Sequence, residues 1–242
     1  MRIITKNIAN FLTSFNLFMG CVGIYLLFEN QYLFAFYAML AAAVADFFDG
    51  FAARLFKADD GIGKDLDSLA DVVTFGVLPG FFLFHLAQDF DLFLFSGVEL
   101  KWLALCIPVF SAWRLAKFNN DSRQSTGFLG LATPANAIVL ASFAIWAKED
   151  SSLWAFPDFM ISPWFLTMLI LGSCMLLVSE IPLMALKFKG FSLKKDWLKI
   201  VLVISILTMG ILFTFAAALP SLIIYIILSL LNHSYYEIQS RN

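Results

Sequence analysis

Ala45-Asp46-Phe47-Phe48-Asp49-Gly50-Phe51-Ala52-Ala53-Arg54, followed after a short break by Gly63-Lys64-Asp65-Leu66-Asp67-Ser68-Leu69-Ala70-Asp71, sets acids where the surrounding chain is apolar. Of the 242 residues, 61% are hydrophobic and 14% charged, against about 25% charged in an ordinary soluble domain. Carboxylates inside a bilayer are costly and mark partners, cavities or function. On a helix, Asp46 and Asp49 are three residues apart and Asp67 and Asp71 four apart, so each pair projects from one face. A short connection makes the two helices antiparallel neighbours, with the four acids near one membrane surface.

Outward from this segment the apolar residues fall into runs of about twenty, the length a helix needs to cross a hydrocarbon core of about 30 Å. Spans are expected at about 8–28, 32–56, 66–87, 101–118, 132–148, 163–186, 199–217 and 220–236, an all-α polytopic transmembrane bundle. Pro220 is read as dividing the last apolar stretch into a hairpin, which makes eight crossings, with seven as the alternative. With the N-terminus inside, fourteen of the sixteen basic residues, among them Arg54, Lys64, Arg114, Lys117 and Lys187, fall on the cytoplasmic side, and Lys101 and Lys148 fall outside. Arg2 and Lys6 precede a first run that shows no small-residue cleavage pattern, so it is read as a retained span. Cys21, Cys106 and Cys174 lie in apolar runs without metal-ligand spacing, which argues against a disulfide framework or a zinc site. The net charge of −2 says little by itself, because the placement of charge matters more than its sum, and no nucleic-acid partner is suggested.

Four carboxylates at close range repel strongly in a low-dielectric setting, and divalent cations relieve that repulsion. An oxygen-only cluster without His or Cys suits Mg²⁺ or Mn²⁺, commonly shared with substrate phosphates. Two such ions can stabilise the attacking and leaving oxygens of a phosphoryl displacement. Gly50 and Ala53 share the face of Asp46 and Asp49, where they admit a ligand or a close helix, and Arg54 stands one turn beyond Gly50. Two plainer readings stay open. The acids form interhelical ion pairs, or they line the path of a cation or proton transporter.

The stretch Asp46–Asp71 resembles the signature of the CDP-alcohol phosphotransferases, D-x2-D-G-x2-A-R-x8-G-x3-D-x3-D, at all eight fixed positions. Within that family the run Gly63–Pro79, the segment Trp113-Arg114-Leu115-Ala116-Lys117-Phe118-Asn119, the segment Phe128–Ala135 and Ser179-Glu180-Ile181-Pro182 are similar to the phosphatidylserine synthase branch. The resemblance implies a six-helix catalytic core over residues 1–190, with a C-terminal hairpin and short tail over 191–242. It implies that Asp46, Asp49, Asp67 and Asp71 hold two divalent metals, Mg²⁺ or Mn²⁺. It further implies that Gly50 and Arg54 contact CDP-diacylglycerol and that Asp71 doubles as general base. Asp60 stands where the family often has a serine that contacts the CDP-lipid, and Asn10, Thr13 and Asn16 match P-N-x2-T-x2-N with Ala9 in place of the proline.

The activity so implied is transfer of the phosphatidyl group from CDP-diacylglycerol to L-serine. Arg114 and Lys117 are candidates to recognise serine or phosphate, since a guanidinium matches oxyanions bidentately and lysine offers a point charge; membrane topology with snorkelling side chains accounts for the same pair. Other acceptors, namely glycerol phosphate, inositol phosphate or choline, are the alternatives within the family. The expected setting is a bacterial inner membrane with the site facing the cytoplasm, with membrane lipid around it, and the resemblance allows a homodimer.

Overall fold

The computed structural model describes residues 2–56, 61–90, 99–121, 128–150, 158–184 and 193–241. Two long helices open the chain, α1 (Arg2–Phe28) and α2 (Tyr32–Phe56), packed along their length. The reversal between them follows from Asn30, whose φ of 58° places it in the left-handed region. The amides of Asn30 and Gln31 then close on the carbonyls of Leu27 and Leu26 at 2.9 and 2.8 Å, satisfying the last turn of α1.

The next rod combines α3 (Gly61–Val72), a π-helical turn (Val73–Val77) and α4 (Leu78–Ala87). It begins five residues before the expected start at Leu66. Small residues let it lie tight against its neighbours. A Cβ added to Gly20 of α1 would sit 2.4 Å from the Thr74 hydroxyl oxygen, and one added to Gly76 would sit 3.0 Å from Ser111 Cβ. Then come a 3₁₀ segment (Leu100–Leu105), α5 (Cys106–Asn120), α6 (Thr133–Ile145) with a π-helical extension (Trp146–Asp150), and α7 (Pro163–Val178). Ser162 caps α7 by accepting the Phe165 amide at 3.2 Å. The core gathers Leu27, Met39, Phe75, Phe82, Ile107 and Leu140 from five of these helices.

The span expected at 163–186 is corrected, because the helix stops at Val178. Ser179 is extended, with ψ of 157°, and the chain forms strand β2 (Pro182–Leu183), antiparallel to β1 (Phe128–Leu129). Gly130, with φ of 72°, turns the chain directly over the end of α7. Its amide donates to the Ile181 carbonyl at 3.0 Å and the Leu131 amide to the Leu176 carbonyl at 2.9 Å.

The last two helices, α8 (Leu193–Phe213) and α9 (Ala218–Arg241), form the expected hairpin, but Pro220 does not make the turn. The chain reverses at Phe213–Ala217, where Thr214 has φ of 48°, and Pro220 lies in the first turn of α9, where a missing amide costs nothing. Leu198 and Leu202 of α8 form a small cluster against which Ile224, Tyr225 and Leu228 of α9 pack. Ala216 at the turn joins the main core.

The stretches 8–28, 32–51, 62–87 and 200–232 are long and apolar enough to cross a membrane, the last folded in two. The chain is an integral membrane protein. The bundle has two unlike poles: Asp89 at the end of α4 pairs with Lys148 after α6 at 2.8 Å at one, and the aspartates gather at the other.

Glycine substitutions test this packing. Gly130→Ala places a methyl 2.7 Å from the Ser179 carbonyl oxygen on a left-handed backbone and is expected to cost about 1–3 kcal/mol or more. Gly172→Ala in α7 meets nothing within 4 Å and is expected to gain about 0.5–1 kcal/mol. Thermal unfolding of both variants in detergent checks the contrast.

Candidate active site

The acidic motif folds as its spacing predicts, with Asp46 and Asp49 on the last turns of α2 and Asp67 and Asp71 on α3. Carboxylate oxygens of Asp46, Asp49 and Asp67 all lie within 4.8 Å of one another. Asp67 Oδ1 is buried without a partner. Three hard oxygen donors at this range, one of them orphaned, can hold a metal ion. A Cβ on Gly50 would meet nothing within 4 Å, so the space beside the acids is open rather than filled by a neighbouring helix. Of the two uses expected of this glycine, room for a ligand is the one the geometry provides.

α1 supplies the neutral donors that orient these acids. The Thr13 hydroxyl, also 3.1 Å from the Ala9 carbonyl, donates to Asp49 Oδ2 at 2.7 Å. The Asn16 amide donates to Asp71 Oδ1 at 3.2 Å, and the Asn16 carbonyl accepts from the Thr74 hydroxyl at 3.2 Å. Thr13 and Asn16 are both buried. The π-helical turn starting at Val73 widens the rod two residues after Asp71, and single π turns recur at functional sites.

Arg114, near the end of α5, is only 7% exposed. One terminal nitrogen donates to the Thr133 hydroxyl at 3.3 Å, the guanidinium lies 5.4 Å from the Phe118 ring centre, and Nε has no partner. Its helix packs against α3 and the π-helical turn, the segment that carries Asp71. Lys117 is placed differently: its ammonium pairs with Glu180 at 2.9 Å and reaches the Val178 carbonyl at 3.5 Å, so it ties α5 to the end of α7. Lys64 donates to the Asn119 carbonyl at 3.1 Å, and the Asn119 amide donates to Ser68 at 2.7 Å, binding α3 to α5 at the same pole.

Asp46, Asp49 and Asp67 thus cluster, with Asp71 one turn further along α3 and Arg114 on the neighbouring α5, while Lys117 is engaged in an ion pair. Asn10 faces Gly63, its Oδ1 lying 3.2 Å from where a Cβ on Gly63 would stand. Arg54 occupies the end of α2, its side chain outside the described part, and Asp60 lies outside the described residues. Thr13 and Asn16 were legible as members of a motif, yet their partners were not. Their i, i+3 spacing signals a shared face without saying which acids meet it.

The sequence pattern of the CDP-alcohol phosphatidyltransferases matches residues 6–157, more than half of the chain. The chain belongs to this family. A CDP-diacylglycerol–serine O-phosphatidyltransferase of Mycobacterium leprae is 33% identical over 173 residues, covering 68% of this chain and 53% of the relative. One from Bacillus subtilis is 32% identical over 130 residues, 53% of this chain and 71% of the relative. An archaetidylserine synthase of Methanothermobacter thermautotrophicus is 31% identical over 134 residues, 54% of this chain and 55% of the relative. The chain spans about half the length of the mycobacterial relative.

Metal binding is directly measurable. Mn²⁺ titration followed by electron paramagnetic resonance is expected to show saturable binding to the purified protein, lost in Asp46→Asn and Asp67→Asn. Thr13→Val, which removes one hydrogen bond worth about 0.5–1.5 kcal/mol, is expected to weaken binding without abolishing it.

Proposed function

We propose that the protein transfers the phosphatidyl group of CDP-diacylglycerol to the hydroxyl of L-serine, giving phosphatidylserine and CMP. The observation that carries this reading is the division of the site. Three carboxylates cluster together, while Asp71, one turn further along α3, is oriented by Asn16, and α5, which carries the buried Arg114, packs against α3. Two relatives that differ in lipid name, a phosphatidylserine-type and an archaetidylserine-type synthase, share serine, which favours serine as acceptor here.

In this reading Asp46, Asp49, Asp67 and Asp71 would together hold two divalent ions, Mg²⁺ or Mn²⁺. Bound there, the ions would neutralise the pyrophosphate and the charge that develops on the departing CMP. Gly50 leaves the nucleotide lipid room to approach, with Arg54, Asn10 and Asp60 as further contacts. Arg114 takes the serine carboxylate, because a guanidinium with an unpaired Nε matches an anion and is carried by the helix packed against that of the base. Asp71 withdraws the proton from the serine hydroxyl as that oxygen attacks the β-phosphorus. The bond from the β-phosphorus to the bridging oxygen breaks, CMP leaves, and the proton on Asp71 passes to water. Holding both reactants at one pole converts a bimolecular encounter into a nearly unimolecular step.

The catalytic core is taken as residues 1–190, with 191–242 appended as the hairpin and tail, in a bacterial inner membrane with the acidic pole toward the cytoplasm. The asymmetry of Lys and Arg supports that orientation. A cysteine introduced at exposed Asp65, in a background without Cys21, Cys106 and Cys174, is expected to resist an impermeant reagent applied to intact cells and to react once they are opened. Labelling from outside would reverse the orientation.

Purified protein supplied with CDP-diacylglycerol and a panel of serine, glycerol phosphate, inositol phosphate and choline is expected to yield phosphatidylserine and CMP, and to lose activity in excess chelator. Asp71→Asn keeps size but removes the base, which costs about 10²–10⁴-fold in turnover. It is expected to retain CDP-diacylglycerol binding, whereas Asp46→Asn weakens it. Near-normal turnover of Asp71→Asn would remove the base from the mechanism.

A further inference from the structure

The hairpin lies beyond the matched family segment, and many of its large side chains are exposed, among them Ile204, Leu207, Ile211, Ile223 and Ile227. A helix pair that only filled lipid would need no polar face. Yet α9 turns two hydroxyls inward, four residues apart and therefore on one side of the helix. Ser229 is 2% exposed, and its Oγ accepts the Met184 amide at 3.1 Å. The Tyr225 hydroxyl donates to the Met184 carbonyl at 3.1 Å. Both polar groups of one peptide residue are thus held by side chains of a single helix. Met184 directly follows β2, where the two-residue ladder has ended and can no longer satisfy them. In a low-dielectric surrounding these bonds fix position as well as adding energy.

From Met184 the connection runs directly toward the site. β2 pairs with β1, and Gly130 and Leu131 bond to Ile181 and Leu176. Thr133, two residues further, carries the hydroxyl that accepts from Arg114. We propose that Tyr225 and Ser229 are positioning residues for the acceptor: by bracketing Met184 they lock the β1–β2 clasp, which sets Thr133 and hence the orientation of Arg114. The proposal rests on the reading of Arg114 as the residue that takes the serine carboxylate.

The test uses the full chain in lipid nanodiscs, with Tyr225→Phe, Ser229→Ala, Ser229→Thr and Arg114→Lys. Tyr225→Phe keeps the ring among Leu198, Leu202 and Leu228 and removes only the hydroxyl. Tyr225→Phe and Ser229→Ala are each expected to raise the KM for serine about 2- to 10-fold, the worth of one neutral hydrogen bond, with kcat and the KM for CDP-diacylglycerol unchanged. Ser229→Thr restores the value, and Arg114→Lys raises the same KM. Hydrogen exchange at the Met184 amide is expected to quicken in Ser229→Ala. An unchanged serine KM in both α9 variants, or a parallel loss in kcat and both KM values, overturns the proposal. So does a shift in the α9 variants while Arg114→Lys leaves the serine KM unmoved. Failure of the unmutated protein to make phosphatidylserine overturns the proposed reaction instead, and the acceptor role with it. Exchange at Met184 then still decides the bracket, which unquickened exchange in Ser229→Ala refutes.

Discussion

Carboxylates whose oxygens lie within 4.8 Å of one another, set at the end of an apolar helix bundle, cannot all carry charge without a cation between them. That constraint explains why so much of the chain is devoted to bringing two short helix ends together. One face of α1 supplies the means. Thr13, Asn16 and Gly20 follow one another at steps of three and four residues. The first donates to Asp49, the second donates to Asp71 and accepts from Thr74, and the third has no side chain, so Thr74 can approach. A bulkier α1 would push α3 away and separate Asp67 from Asp46.

The rod from Gly61 to Ala87 joins two environments. Its first half carries Lys64, Asp65, Asp67 and Asp71, and its second half is almost wholly buried and apolar. The π-helical turn lies at the junction. An extra residue in a helical turn rotates everything that follows, so the acids can face the site while Phe75, Leu78 and Phe82 face the core. The change of register is part of how one helix serves both.

Much of this was legible in the chain. Acids in an apolar run stand out by charge alone, and their i+3 and i+4 spacing assigns them to faces, so Asp46, Asp49, Asp67 and Asp71 could be placed together before any coordinates. The ends of helices were less legible. Apolar composition continues past Val178, but hydropathy reports partition into lipid and not backbone hydrogen bonding, and there the chain pairs with β1 instead. Pro220 was read as the turn because proline interrupts helices, yet the first turn of a helix tolerates it and Thr214 does the turning. Lys117 and Arg114 look alike as basic residues beside one span. Only the fold shows that Glu180 meets one of them and a neutral hydroxyl meets the other.

That difference bears on selectivity. A guanidinium removed from water is costly unless an anion and well-formed hydrogen bonds compensate for it. Lys117 is half-exposed and has its carboxylate. Arg114 is buried, is hydrogen-bonded to Thr133, and leaves Nε unsatisfied. The acceptor proposed for this pole carries a carboxylate that would complete the arginine and a hydroxyl for Asp71, one for each unfulfilled group. Choline brings a hydroxyl but a second cation in place of the anion, so it would leave Arg114 uncompensated and add like-charge repulsion. On this argument choline is rejected less by the shape of the opening beside Gly50 than by an electrostatic deficit at Arg114 that only an acceptor bearing an anionic group fills.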